Sequence, residues 1–313
     1  MDGSQPIGVF DSGVGGLSVV RQILEQLPDE SIVYFGDTAR VPYGSRTPAE
    51  IIAFGDQIIS FLARFDVKVV VAACNTSSAV SLPVLRRKYH LPVLGVVEPG
   101  VRAALQVTGN MRIGVLATAA TINSGAFTRC FRAYDPGVTV FAQACPQLVP
   151  LVEAGKIDGP EIRAAVRQYL QPLQDARVDT IVLGCTHYPF LAPVIRDLAG
   201  EAVEVVDPAE ETVKELAVLL SLQTDATDED GCANARRAPA RGPGTAAYGR
   251  RVPRPEGTQA GEAARGGAEH RFFASGATAS FYSSGRQFLG DFSFQVEQVS
   301  LNESDCECGT GGT

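Results

Sequence analysis

The segments VVVAACNTSS (residues 69–78) and TIVLGCTHYP (residues 180–189) each consist of an apolar run that ends on a cysteine and continues with polar residues. A second pair of similar segments, IGVF (7–10) and IGVL (113–116), opens the two halves of the chain. The segments occur in the same order in each half, which indicates an internal repeat. We therefore expect two similar lobes, in which Cys74 and Cys185 occupy the same place in their sheets.

Short β-branched runs alternate with helical patterns along the whole chain, which is typical of parallel α/β sheets. Ligands of such sheets bind at the carboxyl ends of the strands. We therefore predict an α/β fold of two pseudo-symmetric parallel-sheet lobes, with the active site in the cleft between them. Thr47-Pro48-Ala49-Glu50 has the pattern of a capping box with proline in the first helical turn. The predicted helices cover 17–27, 47–65 and 160–173, and the predicted strands cover 7–10, 32–35, 67–73, 92–97, 113–116, 138–141, 180–183 and 203–206.

One segment interrupts this alternation. Between residues 223 and 270, Val252 is the only Val, Ile, Leu or Met, while Ala, Gly, Pro and Arg dominate. Such a composition cannot bury enough apolar surface to order itself, so we predict a disordered insert there. The predicted first lobe comprises 1–98, 209–222 and 271–300, the second lobe comprises 99–208, and 301–313 form a flexible tail.

The composition excludes several classes of protein. The 313 residues include 27 basic and 35 acidic side chains, a net charge of −8, which argues against a nucleic-acid partner. No apolar run approaches the roughly 20 residues that span a bilayer, and the chain does not open like a signal peptide, so we predict a cytoplasmic protein without membrane association. The odd number of cysteines, seven, is typical of reduced intracellular thiols.

Both cysteines at strand ends are candidates for chemistry. Each is followed by hydrogen-bond donors, and each has a candidate helper for forming a thiolate: Asp11 after the first strand for Cys74, and His187 for Cys185. The alternative interpretation is that the thiols are buried as small hydrophobic groups, that Asp11 is a turn or cap residue, and that His187 is structural. The repeated context favours the chemical interpretation.

Other candidates have equally plain alternatives. The loop from Asp11 to Gly16 has Ser18 where a dinucleotide fingerprint needs glycine, so its glycines fit a small anion better than a nucleotide. Pro42-Tyr43-Gly44 could be an ordinary turn, Thr118 and Thr121 helix caps, and Glu153 an exposed acid.

Six motifs occur in the order of a known family: FDSGVGGLSV (10–19), YFGDTARVPYG (34–44), ACNTSSA (73–79), the stretch 115–124, CPQLVPLVEAG (145–155) and LGCTHYPFL (183–191). With these motifs the chain resembles the cofactor-independent aspartate/glutamate racemase superfamily, and within it the glutamate racemases. The resemblance covers nearly all of residues 6–222. The insert is a departure from the family pattern.

The resemblance implies a reaction in which two thiols move a proton between the faces of glutamate, without a metal or organic cofactor. Cys74 matches the thiol that deprotonates D-glutamate and Cys185 the thiol that deprotonates L-glutamate. Asp11 matches the group assisting the first thiol, and His187, supported by Glu153, the group assisting the second. The resemblance further implies a homodimer that supplies D-glutamate for peptidoglycan. The positions that match substrate contacts are Asp11, Ser12, Pro42, Tyr43, Gly44, Asn75, Thr76, Thr118, Thr121, Thr186 and His187.

Three alternatives stay open at this point. A related racemase acting on aspartate or another amino acid would differ by small changes in the pocket, since one methylene is worth only about 1–3 kcal/mol. A cysteine amidohydrolase would use Cys185 and His187 as nucleophile and base, and would not need Cys74. A non-catalytic sensor would bind glutamate without exchanging its α-proton.

Overall fold

The computed structural model describes residues 5–228, 268–290 and 292–301. The first half of the chain alternates strands and helices, ending with a helix that leads into the second half. Its elements are β1 (Ile7–Asp11), α1 (Leu17–Gln26), β2 (Ile32–Gly36), α2 (Pro48–Ala63), β3 (Val69–Ala72), α3 (Asn75–Val80), α4 (Leu82–Lys88), β4 (Val93–Gly95) and α5 (Val97–Val107).

The second half repeats the alternation and is followed by a return segment. Its elements are β5 (Arg112–Ala117), α6 (Ala119–Ser124), α7 (Ala126–Tyr134), β6 (Thr139–Ala144), α8 (Leu148–Glu153), α9 (Pro160–Asp175), β7 (Thr180–Gly184), α10 (Ala192–Ala199), β8 (Glu204–Val206) and α11 (Pro208–Asp228). The return segment contains β9 (His270–Ala274), α12 (Thr278–Leu289) and β10 (Val296–Gln298).

The strands form two parallel sheets, which confirms the predicted fold class. The first has the order β10-β9-β2-β1-β3-β4, and the second has the order β6-β5-β7-β8. The strand order β2-β1-β3-β4 of the first sheet is thus repeated as β6-β5-β7-β8 in the second. All eight strands predicted from the sequence are present, with ends that differ by up to three residues.

The core of the first lobe lies on both faces of its sheet. Ile7 and Val9 of β1 face one apolar cluster, which α1, α11 and α12 cover, whereas Phe10 faces a second cluster under α2. This division follows from the alternation of side chains along a strand. The capping box at the start of α2 is confirmed, since the Glu50 N–H donates to Thr47 Oγ1 and the Thr47 N–H donates to Glu50 Oε2.

Two ends of the predicted insert and one predicted lobe boundary differ from the structure. Helix α11 continues to Asp228, six residues into the predicted insert, because a helix gains a backbone hydrogen bond with every further residue once it has been nucleated. His270 already pairs with Ile32, as the first residue of β9. The predicted lobe boundary at 98/99 falls inside α5.

The rest of the predicted insert, 229–267, and the tail from 302 onward lie outside the described residues. Within the described ranges, no helix combines the length and apolar character needed to cross a bilayer.

Candidate active site

The two cysteines occupy equivalent positions in the two sheets. Cys74 follows β3 and stands at the N-cap of α3, and Cys185 follows β7. β3 lies between β1 and β4, and β7 lies between the corresponding strands β5 and β8. Both cysteines are buried, with 4% and 7% of their surface exposed. The structure therefore confirms that the repeat delivers each thiol to the same topological place.

The environment of Cys74 favours its neutral form. Its thiol donates to Ser12 Oγ at 3.6 Å. Burial, the nearby Asp11 carboxylate and, to a lesser extent, the Cys185 thiol raise the pKa of Cys74 to about 12. Cys74 is thus protonated at neutral pH, as a proton donor must be.

Asp11 lies at the junction of the lobes. It is fully buried at the end of β1, where its Oδ2 accepts from the Gly13 N–H at 2.9 Å. Its Oδ1 accepts from the Thr186 hydroxyl of the second lobe at 3.4 Å. Burial raises the pKa of Asp11, although the positive charge on His187 partly offsets this. The Asp11 carboxylate therefore bonds to the loop that holds Cys185 and lies near enough to Cys74 to raise the pKa of its thiol.

The loop before α1 lies close to the second lobe at Gly15. A Cβ built on Gly15 would lie 2.8 Å from Thr186 Cβ and 3.1 Å from His187 Nδ1. The first separation is shorter than real side chains show, so any residue other than glycine would require 186–187 to shift. Within the loop that could suggest a nucleotide site, Gly15 therefore allows close packing against 186–187.

The thiol of Cys185 lies next to the imidazole ring of His187. Its Sγ lies 3.8 Å from His187 Nδ1, and His187 Nε2 lies 3.2 Å from Glu153 Oε1. This Nε2 has no well-aligned hydrogen bond among the described residues, so its attraction to Glu153 is mainly electrostatic. Burial lowers the pKa of His187, but Cys185 and Glu153 outweigh burial and raise it to about 10. His187 is therefore positively charged at neutral pH.

Three threonines join the lobes next to Cys74. The Oγ1 atom of Thr76 lies 2.9 Å from that of Thr118 and 3.0 Å from that of Thr121, and the latter two are 3.0 Å apart. Thr118 also caps α6 by accepting from the Thr121 N–H. Thr118 is therefore a helix cap, as the alternative interpretation of the sequence had it. The same hydroxyl is also part of the threonine cluster between the lobes.

The loop Pro42–Gly44 lies against the second lobe. A Cβ on Gly44 would lie 3.0 Å from Thr118 Cβ, whereas Pro42 is exposed. Tyr43 is buried, and its hydroxyl donates to the Asp37 carboxylate. The side chain of Asn75 is also buried, and its Oδ1 has no hydrogen-bond partner among the described residues.

Sequence reasoning missed two residues that shape this site. Asp37 directly follows β2 and is fully buried. Asp11 was selected because it follows a strand, and the same criterion could have found Asp37. Ser275, which donates to Asp37 at 2.7 Å, lies beyond the insert, and no local signal pointed to it.

Comparisons with known proteins agree with this geometry. The sequence profile of the Asp/Glu/hydantoin racemase family matches residues 7–216. A glutamate racemase from Gloeobacter violaceus is 51% identical over 214 residues, which cover 68% of this chain and 80% of that protein. A glutamate racemase isoform from Bacillus anthracis is 35% identical with a TM-score of 0.79, over 96% of this chain and 98% of that one. A Francisella tularensis glutamate racemase solved with D-glutamate is 32% identical with a TM-score of 0.76, over the same shares of the two chains.

Proposed function

Because the chain belongs to the Asp/Glu/hydantoin racemase family, we propose that it is a glutamate racemase that moves the α-proton between two thiols. The observation that carries this proposal is the duplicated placement of Cys74 and Cys185 after corresponding strands of two facing lobes. Inversion at a carbon needs a base on one face and an acid on the other. Two buried thiols in one site fit this requirement.

The charges around the thiols support one direction of transfer in detail. In the L-to-D direction, Cys185 as a thiolate removes the α-proton, and the electron pair stays on the α-carbon. The Cys74 thiol then donates its proton to the opposite face, so Cys185 ends as the thiol and Cys74 as the thiolate. Positive His187 favours the starting thiolate, and the raised pKa of Cys74 favours the starting thiol. The D-to-L direction reverses each step.

The remaining site residues are proposed to hold glutamate. The buried, unpartnered Asn75 Oδ1 suits the substrate ammonium, since it can only accept hydrogen bonds. The threonine hydroxyls can donate to the carboxylates, as can the polar groups of Ser12 and Thr186. Donors fixed in advance in a buried site stabilise the charge that develops on the carbon. Pro42 would contribute through its backbone, because its ring is exposed.

One observation favours a second candidate. The Cys185–His187 separation of 3.8 Å also suits a nucleophile and base in a cysteine amidohydrolase. That reaction needs one thiol, whereas this site holds a second thiol in the equivalent position. The two candidates differ in their dependence on Cys74.

The test is to incubate the protein with L-glutamate in deuterated buffer, without added cofactor, and to follow optical rotation and α-deuterium uptake. We expect rotation to decay to zero with uptake of deuterium. Cys74→Ala and Cys185→Ala should each abolish racemisation, whereas Cys130→Ala, a half-buried cysteine on α7, should leave it unchanged. Racemisation near the parental rate in either site variant would refute the two-thiol scheme.

Release of ammonia from amide substrates by Cys74→Ala would favour the amidohydrolase. Racemisation of aspartate but not glutamate would reassign the substrate.

We also propose that the enzyme is cytoplasmic, acts as a homodimer and supplies D-glutamate for peptidoglycan. These proposals rest on its membership of the family. Sedimentation of the purified protein, and restoration of growth in a bacterium that depends on external D-glutamate, would test the assembly and the physiological role.

A further inference from the structure

Asp37 is a buried carboxylate that the proposed reaction does not use. It is fully inaccessible to solvent at the end of β2. The Tyr43 hydroxyl donates to its Oδ2, and Arg40 Nε lies 2.8 Å from the same oxygen. The Ser275 hydroxyl donates to its Oδ1 at 2.7 Å. A buried charge with this many partners is held in a single position.

Ser275 ties the return segment to the loop that contains Asp37. Its Oγ also accepts from the Ala39 N–H at 2.9 Å, and its backbone N–H donates to Gly36 O at 3.0 Å. The next residue, Gly276, donates its N–H to Thr38 Oγ1 at 2.9 Å. The segment that follows the insert therefore fixes the backbone of 36–39 by direct hydrogen bonds.

Tyr43 transmits this constraint to the loop beside the threonines. Its ring packs on the ring of Phe54, with centroids 5.4 Å apart. The guanidinium of Arg40 stacks on the same Phe54 ring, 4.2 Å from its centroid. The phenol proton is engaged by Asp37, so the hydroxyl has none left to donate to a substrate carboxylate. Tyr43 therefore acts on the site by placing the backbone of 42–44, and Gly44 lies against Thr118.

We infer that Asp37 and Ser275 are positioning residues for substrate binding, which hold Tyr43 so that loop 42–44 keeps its place beside Thr118. The inference rests on the proposed racemase function. It assigns to the return segment a direct influence on glutamate affinity, in addition to its place in the first sheet. Neither residue touches the reacting carbon in this scheme, so the effect falls on KM and leaves kcat nearly unchanged.

The test compares Ser275→Ala, Ser275→Thr and Tyr43→Phe, with Ser293→Ala as the matched control. Ser293 is exposed on the same segment and lies outside this network. We expect Ser275→Ala and Tyr43→Phe each to raise KM for both enantiomers by about tenfold, because the loop then leaves its binding position at a cost limited by the strength of one hydrogen bond to a charged group. Ser275→Thr keeps the hydroxyl and should restore KM. Ser293→Ala should match the parent.

A double-mutant cycle separates positioning from direct contact. Because both residues act through Asp37, the Ser275→Ala/Tyr43→Phe double variant should raise KM little more than either single change. Calorimetric affinity for D-glutamate should weaken in parallel, and melting temperatures would identify variants that merely unfold. Unchanged KM and affinity in folded Ser275→Ala would overturn this inference alone. Multiplicative effects in the double variant would also overturn it. A parent protein that neither binds nor racemises glutamate would overturn the proposed function and this inference together.

Discussion

The contact between Gly15 and the second lobe allows a sharp test of the interlobe geometry. In Gly15→Ala, the new methyl group would lie 2.8 Å from Thr186 Cβ and 3.1 Å from His187 Nδ1. Carbon atoms in contact are normally about 3.5–4.0 Å apart. The loop 186–187 must therefore retreat by about 1 Å, or the lobes must separate by a similar distance. The backbone of Gly15 is not left-handed, so steric contact alone causes the effect.

This displacement moves the groups that assist Cys185. Thr186 would draw away from Asp11, and His187 would shift relative to the substrate. A misplacement of 1 Å can cost about 100-fold in rate, which corresponds to about 2.7 kcal/mol in the activation barrier. We therefore expect Gly15→Ala to lower kcat/KM about 100-fold. The loss must be equal for both enantiomers, because L- and D-glutamate are equally stable and the equilibrium constant is fixed at unity.

The assay is circular dichroism of glutamate, started from each enantiomer in turn. Gly109→Ala is the matched control, since a methyl group there would make an ordinary contact, 3.5 Å from Asp179 Oδ2. Thermal unfolding separates a shifted site from a lost fold. A Gly15→Ala variant that melts like the parent and keeps its rate within threefold would show that the interlobe contact does not position the catalytic groups.

Two further predictions concern the charged groups around His187. Glu153→Gln should lower kcat/KM by only about two- to fivefold, because the Glu153 side chain is 43% exposed and such ion pairs are worth at most about 1 kcal/mol. A loss above 100-fold in the same racemisation assay would mean that Glu153 takes part in the chemistry. The unfolding free energy should fall as pH rises from 7 to 10, because native His187 keeps its proton up to a pKa of about 10 while its ordinary value is 6.5. The raised pKa of Cys74 acts in the same direction above its ordinary value of 9.0. Urea midpoints across this range would measure the slope, which should flatten in His187→Asn, and a midpoint that rises with pH would contradict the assignment.

Much of the fold could be predicted because its signals are local. The apolar runs at Ile7 and Ile113 predict buried parallel strands, since such strands are covered on both faces. The capping box at Thr47 was predictable because its two partners lie within one helical turn. The end of α11 was not predictable, because the helix continues to Asp228 through residues whose composition indicated disorder.

The candidate site could be predicted only in part. Cys74 and Cys185 were found because the repeat marks them twice, and Asp11 because it follows a strand. The role of Tyr43 was not predictable, because its hydroxyl is engaged by Asp37 inside the protein. Nor was the role of Ser275, whose partner Asp37 is 238 residues away in sequence.

The sequence by itself determined the strand and helix pattern, the repeated lobes and the identity of the two thiols. These properties depend on side-chain periodicity and on residues that are close together along the chain. Only the tertiary structure decided which groups from distant segments meet. Examples are the contact of Asp11 with Thr186, the fit of Gly15 against the second lobe, and the link from Ser275 through Asp37 to Tyr43. Burial and long-range contact set the pKa values and the geometry of these groups, and both arise only when distant segments pack together.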